Sequence, residues 1–466
     1  MNDRLFNDFN PVSAKQWKQK IQFDLKGADY NDTLVWQSNA GISVRPFYHR
    51  DDFAELPGVS STKATTWSIC QSIFVANVSK ANLKAIDVIE RGAESIKFII
   101  PDNTINIETL LQNIDLSSTE LHFEPQWLSD AFIKKLNEFL FEQSVKTPTK
   151  KNNFIQTDII GNLARSGNWF NNLKEDYKLF GSIIKITNTF SVDVSLYQNA
   201  GANLVQQLAY ALAHANEYLN HLDSAILSEA KQSFKIVFNV SVGTNYFFEI
   251  AKLRALRRLW YSLASEYHFN TDCYIVAVPT KRNKTLYDYN TNMLRTTTEC
   301  MSAILGGANT VCNLPYDAIY HKDNEFGERI ARNQLLILKH ESYLDKVDNP
   351  ADGSYYIESI TNQLADKALN LFKDIEAHGG FLKQLKGGII QRKIKASTTK
   401  EQDQFNSGEE TLLGTNKYPN PKDIMKQELE LYPFVKTNPR KTLIEPIIEH
   451  RLAEKMEQER LKTESP

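Results

Sequence analysis

Only 4 of the 466 residues are cysteine, no two of them form a C-x-x-C pair, and no apolar run approaches the ~20 residues that cross a bilayer. Cys70, Cys273, Cys300 and Cys312 are too sparse for a disulfide framework and read as buried, reduced thiols of a cytosolic protein. An excess of one charge is missing too. Lys+Arg (54) nearly balance Asp+Glu (56), a net charge of −2, which excludes nucleic acid or an acidic membrane as a partner recognised by bulk electrostatics. The opening MNDRLFNDFNPVSAKQW has no apolar leader, and its early acidic residues are unlike a transit peptide. These absences predict a soluble chain of the cytoplasm. The 42% hydrophobic fraction is ordinary and can supply a substantial core.

What is present is an alternation of strands and helices. Short β-rich runs stand at 73–76 (IFVA), 95–100 (SIKFII), 120–124 (ELHFE), 154–159 (FIQTDI), 183–196 (a broken run), 235–242 (KIVFNVSV), 273–279 (CYIVAVP) and 309–315 (NTVCNLP). Most are too short and apolar for alternating edge strands and suit a parallel sheet covered by helices. Helical periodicity fills the intervals, at 79–91, at 127–145 and most clearly at 246–267, where Ile250, Leu253, Leu256, Trp260 and Leu263 recur every three or four residues. The other side of that segment carries Lys252, Arg254, Arg257 and Arg258, which reads as a solvated basic stripe. Strand–helix alternation repeated eight times predicts a (β/α)8 barrel, with an open doubly wound sheet as the alternative. Gly306-Gly307 reads as a tight turn rather than a phosphate loop, since no GK follows.

The flanks differ from the middle. Residues 1–70 are polar, broken by Pro11, Pro46 and Pro57, and read as an extended N-terminal arm; 71–387 form the barrel. Residues 388–466 are rich in Lys, Glu and Gln, with a turn cluster at 416–423 and a charged amphipathic helix over 442–462. This helical C-terminal tail is too poor in apolar residues to make a core of its own.

Several stretches resemble the methylmalonyl-CoA mutase family over most of the chain. They are the arm KIQFDLKGADYNDTLVWQSNAGISVRPFYHRDD at 20–52, NAGANLVQQLAYALAHANEYL at 199–219, FFEIAKLRALRRLW at 247–260, LRTTTE at 294–299, GGANTV at 306–311 and RIARNQLLILKHESYLDKVDNPADGSYYIE at 329–358. The resemblance implies a (β/α)8 barrel, in agreement with the strand count. It also implies adenosylcobalamin-dependent radical interconversion of methylmalonyl-CoA and succinyl-CoA, which needs a dry substrate pocket, hydrogen-bond donors at the thioester and carboxylate, and a domain for the corrin.

The family's functional positions are altered here. Where catalytic chains read like S-G-Y-H-M-Q-E-A-G-A, the Tyr position is Ser195 and the His position is Leu196, which can donate no hydrogen bond to a carbonyl. Tyr197 falls one place beyond and, in a strand, faces the other side. Where they resemble R-P-W-T-I-R-Q-Y, the two arginine positions are Thr65 and Cys70 and the tyrosine position is Ser72, while Trp67 and Gln71 are kept. None of the nine histidines follows an Asp by two places, as a cobalt-ligating D-x-H-x-x-G loop requires, and no further βαβαβ domain is expected after residue 466. Taken together, these departures predict a non-catalytic small subunit with no cofactor or metal of its own. It pairs with a larger catalytic chain that carries adenosylcobalamin, in propionate and succinate metabolism. The alternatives are an active acyl-CoA mutase barrel that borrows cobalamin from a separate chain, or a barrel enzyme repurposed around Asp158 and Asp193.

Overall fold

A computed structural model describes residues 9–55, 57–146, 151–436 and 439–464. Eight parallel strands form the centre: β1 (Ser68–Phe74), β2 (Ser95–Ile100), β3 (Glu120–Pro125), β4 (Asn153–Ile155), β5 (Thr189–Asp193), β6 (Lys235–Val242), β7 (Cys273–Pro279) and β8 (Thr310–Cys312). Hydrogen-bonded neighbours run β4-β3-β2-β1-β8-β7-β6-β5, so first and last strands pair, with Cys312 opposite Cys70. The remaining gap between β4 and β5 is bridged just past the end of β4, where Ser191 N–H donates to the Thr157 carbonyl (3.3 Å) and Asp193 N–H to Asp158 Oδ2 (2.7 Å). The sheet is a nearly closed (β/α)8 barrel.

Outward-facing aliphatic and aromatic residues, such as Ile96 and Phe98 on β2, Phe190 and Val192 on β5 and Phe238 and Val240 on β6, pack with the helices into one continuous core. The lumen face is polar instead, with Glu120 and His122 on β3 fully enclosed. That polarity explains the displaced boundaries. The first strand was expected at 73–76 and occupies Ser68–Phe74, because its polar lumen residues Cys70 and Ser72 hide the pattern. In the 154–159 run only Phe154 and Ile155 are strand, since Asp158 caps the helix Ile159–Ser166 by accepting from Gly161 N–H. The run at 309–315 contributes only Thr310–Cys312.

The broken run at 183–196 holds three elements. Its start ends the helix Leu173–Thr187, Asn188 makes a left-handed turn (φ 50°), and the strand is Thr189–Asp193. Ser195, Leu196 and Tyr197 then lie in the short helix Ser195–Asn199, so the alternation argument that placed Tyr197 on the far side of a strand does not hold.

The supposed solvated stripe is also corrected. Helix Tyr246–Glu266 is covered by helix Tyr355–Ala377, which brings Asp352 and Glu358 against Arg254 (2.9 Å to Asp352) and Glu358 against Arg258 (3.1 Å). Lys252 is equally enclosed and donates to Gln198 Oε1 (2.9 Å), Gln207 Oε1 (3.1 Å) and the Ser241 carbonyl (2.7 Å). Gly307 does make the expected turn: its φ is +87°, and a Cβ there would lie 2.5 Å from a Thr62 methyl.

The described part of the arm is not merely extended. It holds the helix Ala14–Asp24, whose Ser13 and Gln16 form a reciprocal cap, the helix Tyr30–Leu34 and a hairpin of Trp36–Gln37 with Ser43–Val44. Residues 1–8 of the expected arm lie outside the described residues. At the other end, helix Ile389–Ser407 follows Gly388, and the helix expected over 442–462 is confined to Glu454–Thr463. Residues 443–452 are irregular rather than helical, with backbone partners on the barrel, and Ile444 and Ile447 enter the main core.

Candidate functional site

Barrel chemistry is performed at the C-terminal ends of the strands, and here that mouth is crossed by the protein's own chain. Leu443 and Ile444 N–H donate to the Gly167 carbonyl (3.0 and 3.1 Å), Ile447 N–H to Ala164 (2.8 Å), His450 N–H to Asn199 (3.1 Å) and Leu452 N–H to Arg282 (2.8 Å). These acceptors sit in the helix Ile159–Ser166 and its cap after β4, at the end of the short helix Ser195–Asn199 after β5, and in the turn after β7. Glu449 is placed by this path beside Arg165 (3.1 Å) and accepts from Asn199 Nδ2 (3.1 Å). Arg165 in turn pairs with Asp193, whose Oδ1 accepts from the Ser195 N–H (3.1 Å) and hydroxyl. Burial pushes the Asp193 carboxyl above its ordinary range even though Arg165 and Ser195 pull it down.

Below the mouth the lumen is filled by side chains. Asn239 donates to Gln156 (2.9 Å), Gln156 Nε2 lies 3.3 Å from His122 Nδ1, and His122 Nε2 lies 3.0 Å from Glu120. Glu120 also accepts from the Tyr274 hydroxyl and from Thr310, both at 2.7 Å. Burial works to raise the Glu120 pKa, but these donors outweigh it and hold the carboxyl below its usual value. Phe154, Val237, Val276 and Tyr274 close the same layer. Lys97 and Glu124 pair at 2.5 Å nearer the mouth.

The five altered positions do not converge. Leu196 is 0% exposed and belongs to the hydrophobic core. Ser195 is committed to Asp193. Ser72 is half-buried on β1, and Cys70, two residues earlier, faces Cys312. Thr65 lies at the opposite end of the barrel, in the turn Ala64–Thr66, where its N–H and hydroxyl donate to Asp348 (3.0 and 2.7 Å). No hydrogen bond joins any two of the five among the described residues.

Asp158 and Asp193 are likewise engaged. Asp158 accepts from Tyr218 (2.6 Å) and Gly161 N–H (2.7 Å), and His214 Nε2 lies 2.9 Å away. The Tyr197 hydroxyl meets His214 Nδ1 at 2.9 Å. The network assigns the His214 proton to Nε2, leaving Nδ1 to accept from Tyr197. Burial raises the Asp158 pKa, but His214, Tyr218 and the Asp193 N–H more than reverse it, so the carboxyl stays below its usual range. Tyr197, His214 and Tyr218 are fully enclosed, so the cluster ties helix Leu204–Asp223 to the barrel.

One cavity of about 330 Å³ opens beside the mouth, between Gln198, Gly243, Glu249 and Thr280 on the barrel side and Trp36, Lys400 and Glu410 on the arm and tail side. Its polar floor is used internally: Glu249 Oε1 accepts from Gly243 N–H (2.9 Å), and Glu249 Oε2 lies 2.5 Å from Lys252. Sequence reasoning did not single out Arg165, His214, Glu249 or Glu449. The motifs at 20–52 and 199–219 supply Trp36–Ala40 and Gly201–Leu204 to the cavity lining, while the basic run at 252–258 behind Glu249 was read as surface. No group of three or more His, Cys, Asp or Glu side chains able to hold a metal ion occurs among the described residues. No helix there is long and apolar enough to cross a membrane.

Residues 99–462 match the family model of methylmalonyl-CoA mutase. The methylmalonyl-CoA mutase small subunit of Porphyromonas gingivalis is 34% identical, the match covering 92% of this chain and 73% of that protein. The methylmalonyl-CoA mutase of Rhizobium meliloti is 28% identical over 87% of this chain and 64% of its own length. For the human mitochondrial methylmalonyl-CoA mutase the figures are 27%, 90% and 62%. The chain therefore spans under two thirds of the mutases from Rhizobium and human, and rather more of the small subunit.

Proposed function

Since the chain belongs to the methylmalonyl-CoA mutase family, we propose that it is the small, non-catalytic subunit of a heterodimeric adenosylcobalamin-dependent methylmalonyl-CoA mutase. The larger partner chain interconverts methylmalonyl-CoA and succinyl-CoA, and this chain stabilises it. One observation carries the reading: where the resemblance calls for a donor histidine there is Leu196, sealed in the core, and the mouth beside it is crossed by residues 443–452. A carbonyl held there meets no donor from that position, and electrostatic stabilisation of developing charge is usually the largest single contribution an enzyme makes. The name of the Porphyromonas relative supports a larger partner.

The residues at the mouth do not fit adenosylcobalamin. The 330 Å³ cavity lies at the low end of the ~300–1,000 Å³ common for drug-sized ligands, far below what a corrin ring requires. Backbone groups at Ala164, Gly167, Asn199 and Arg282 are taken up by residues 443–452. Adenosylcobalamin accordingly belongs on the partner.

Two measurements test the proposal. Titrating the isolated chain with hydroxocobalamin leaves the cobalamin visible spectrum unchanged, whereas a stoichiometric shift at micromolar concentration contradicts the reading. Co-expression with the larger mutase chain of the same organism yields a complex whose turnover is lost when the partner's donor histidine is removed and kept when Leu196 is changed to Ala. Mutase activity from this chain alone points the other way.

A further inference from the structure

We propose that Cys70 and Cys312 are the two halves of a reversible disulfide across the line where the first and last strands of the barrel meet. The inference is independent of the subunit assignment. Cys312 is the in-register partner of Cys70 in the parallel β8–β1 pair, so both side chains leave the sheet on the same face. Neighbouring strands lie ~4.8 Å apart, inside the ~4.4–6.8 Å separation that disulfide-bonded Cα atoms adopt. The two thiols are near enough to shift each other's ionisation.

The pair is chemically unequal, as a nucleophile and its resolving partner must be. The Cys70 S–H, the Lys97 ammonium and the Ser72 N–H favour the Cys312 thiolate against burial, whereas burial pushes the Cys70 thiol up. Cys273 and Cys300 are each buried with a raised pKa, and Cys300 spends its S–H on Asn313 Oδ1 (3.4 Å). Access is short: Ser72 and Glu124, at the mouth end of the same lumen face, are half-exposed, and β8 is held by only the three residues Thr310–Cys312.

With a peroxide as the two-electron oxidant the chemistry closes. The Cys312 thiolate attacks one peroxide oxygen, the O–O bond breaks, and hydroxide leaves and is protonated to water. Cys70 sulfur then attacks the resulting sulfenic sulfur, the S–O bond breaks, and the second oxygen departs as water with the Cys70 proton. Two thiols lose two electrons and two protons, and one peroxide becomes two waters. The bridge is opened again by attack of an external thiolate on one of its sulfurs, which makes the modification reversible.

The test treats the full-length native protein with hydrogen peroxide at neutral pH, quenches with acid and counts thiols after unfolding. Two of the four thiols disappear with the mass of two hydrogens, peptide mapping joins Cys70 to Cys312, and dithiothreitol restores all four. Cys312→Ser abolishes the loss, Cys70→Ser forms no bridge and loses at most the Cys312 thiol as a sulfenic acid, and Cys273→Ser leaves the bridge unchanged. Mapping of the unmutated protein decides the matter even if a serine variant folds poorly. Survival of all four thiols, a bridge from Cys312 to Cys300, or only intermolecular bridges overturns the proposal.

Discussion

Leu196 shows how one side chain forecloses a reaction. It is fully enclosed within the hydrophobic core, so Leu196→His places two ring nitrogens in apolar packing. That substitution is expected to cost ~1–3 kcal/mol in urea unfolding and to give no mutase turnover, because groups acting as a unit are not restored singly. Asp158 carries a pH signature. Its folded pKa lies below the unfolded one, so the stability it contributes is complete above the ordinary Asp range and is lost as pH falls through the folded value. Asp158→Asn should lower stability at neutral pH by roughly 3 kcal/mol, since it breaks a buried pair, and should flatten the loss of stability on acidification below about pH 4. Urea titrations at pH 7 and through the acid range read both. Single residues were the hardest scale to read from the sequence. Substitution at Ser195, Leu196, Thr65, Cys70 and Ser72 was legible from motif alignment, but their partners were not. Asp348 reaches Thr65, and Glu358 reaches Arg254, across sequence gaps that no local period records.

Among elements, the longer buried strands were legible and a helix covered by a second helix was not. Strands β2, β6 and β7 were placed to the residue because their apolar runs are continuous. Helix Tyr246–Glu266 was found but its charged face was misassigned, since a second helix lies over it. The crossing segment at 443–452 failed for a related reason. Its sparse Leu443, Ile447 and Leu452 fit a weak helical period, yet the chain forms no helix there, because carbonyls at Ala164, Gly167, Asn199 and Arg282 receive its N–H groups instead. The segment is anchored by Ile444 and Ile447, 6% and 5% exposed. Ile447→Ala should cost about 2 kcal/mol, the low end for an Ile→Ala change at the edge of a core. Limited proteolysis should then cut within 439–453 well before the barrel. A variant as resistant as the parent there would mean the segment is held by its backbone bonds alone.

At the scale of the molecule, strand count and motif order announced the barrel, while the filled lumen and crossed mouth depend on closure, which no window of sequence contains. The arm leaves Phe23 80% exposed and Trp17 half-exposed on helix Ala14–Asp24, apolar surface of the kind that marks an association site. Phe23→Asp should leave the isolated chain's stability within about 0.5 kcal/mol and weaken its complex with the larger mutase chain at least tenfold, measured by titration of labelled subunits. An unchanged affinity removes the arm from the interface. The path of residues 443–452 also bears on biogenesis. Every loop it fastens is translated long before it, so a nascent barrel emerges from the ribosome with its upper rim unsealed and Ile444 and Ile447 still missing from the core. Closure by contacts so distant in sequence is slow in general, and the interval exposes apolar surface to aggregation. Refolding of the full chain should therefore show barrel secondary structure ahead of protease resistance at the rim.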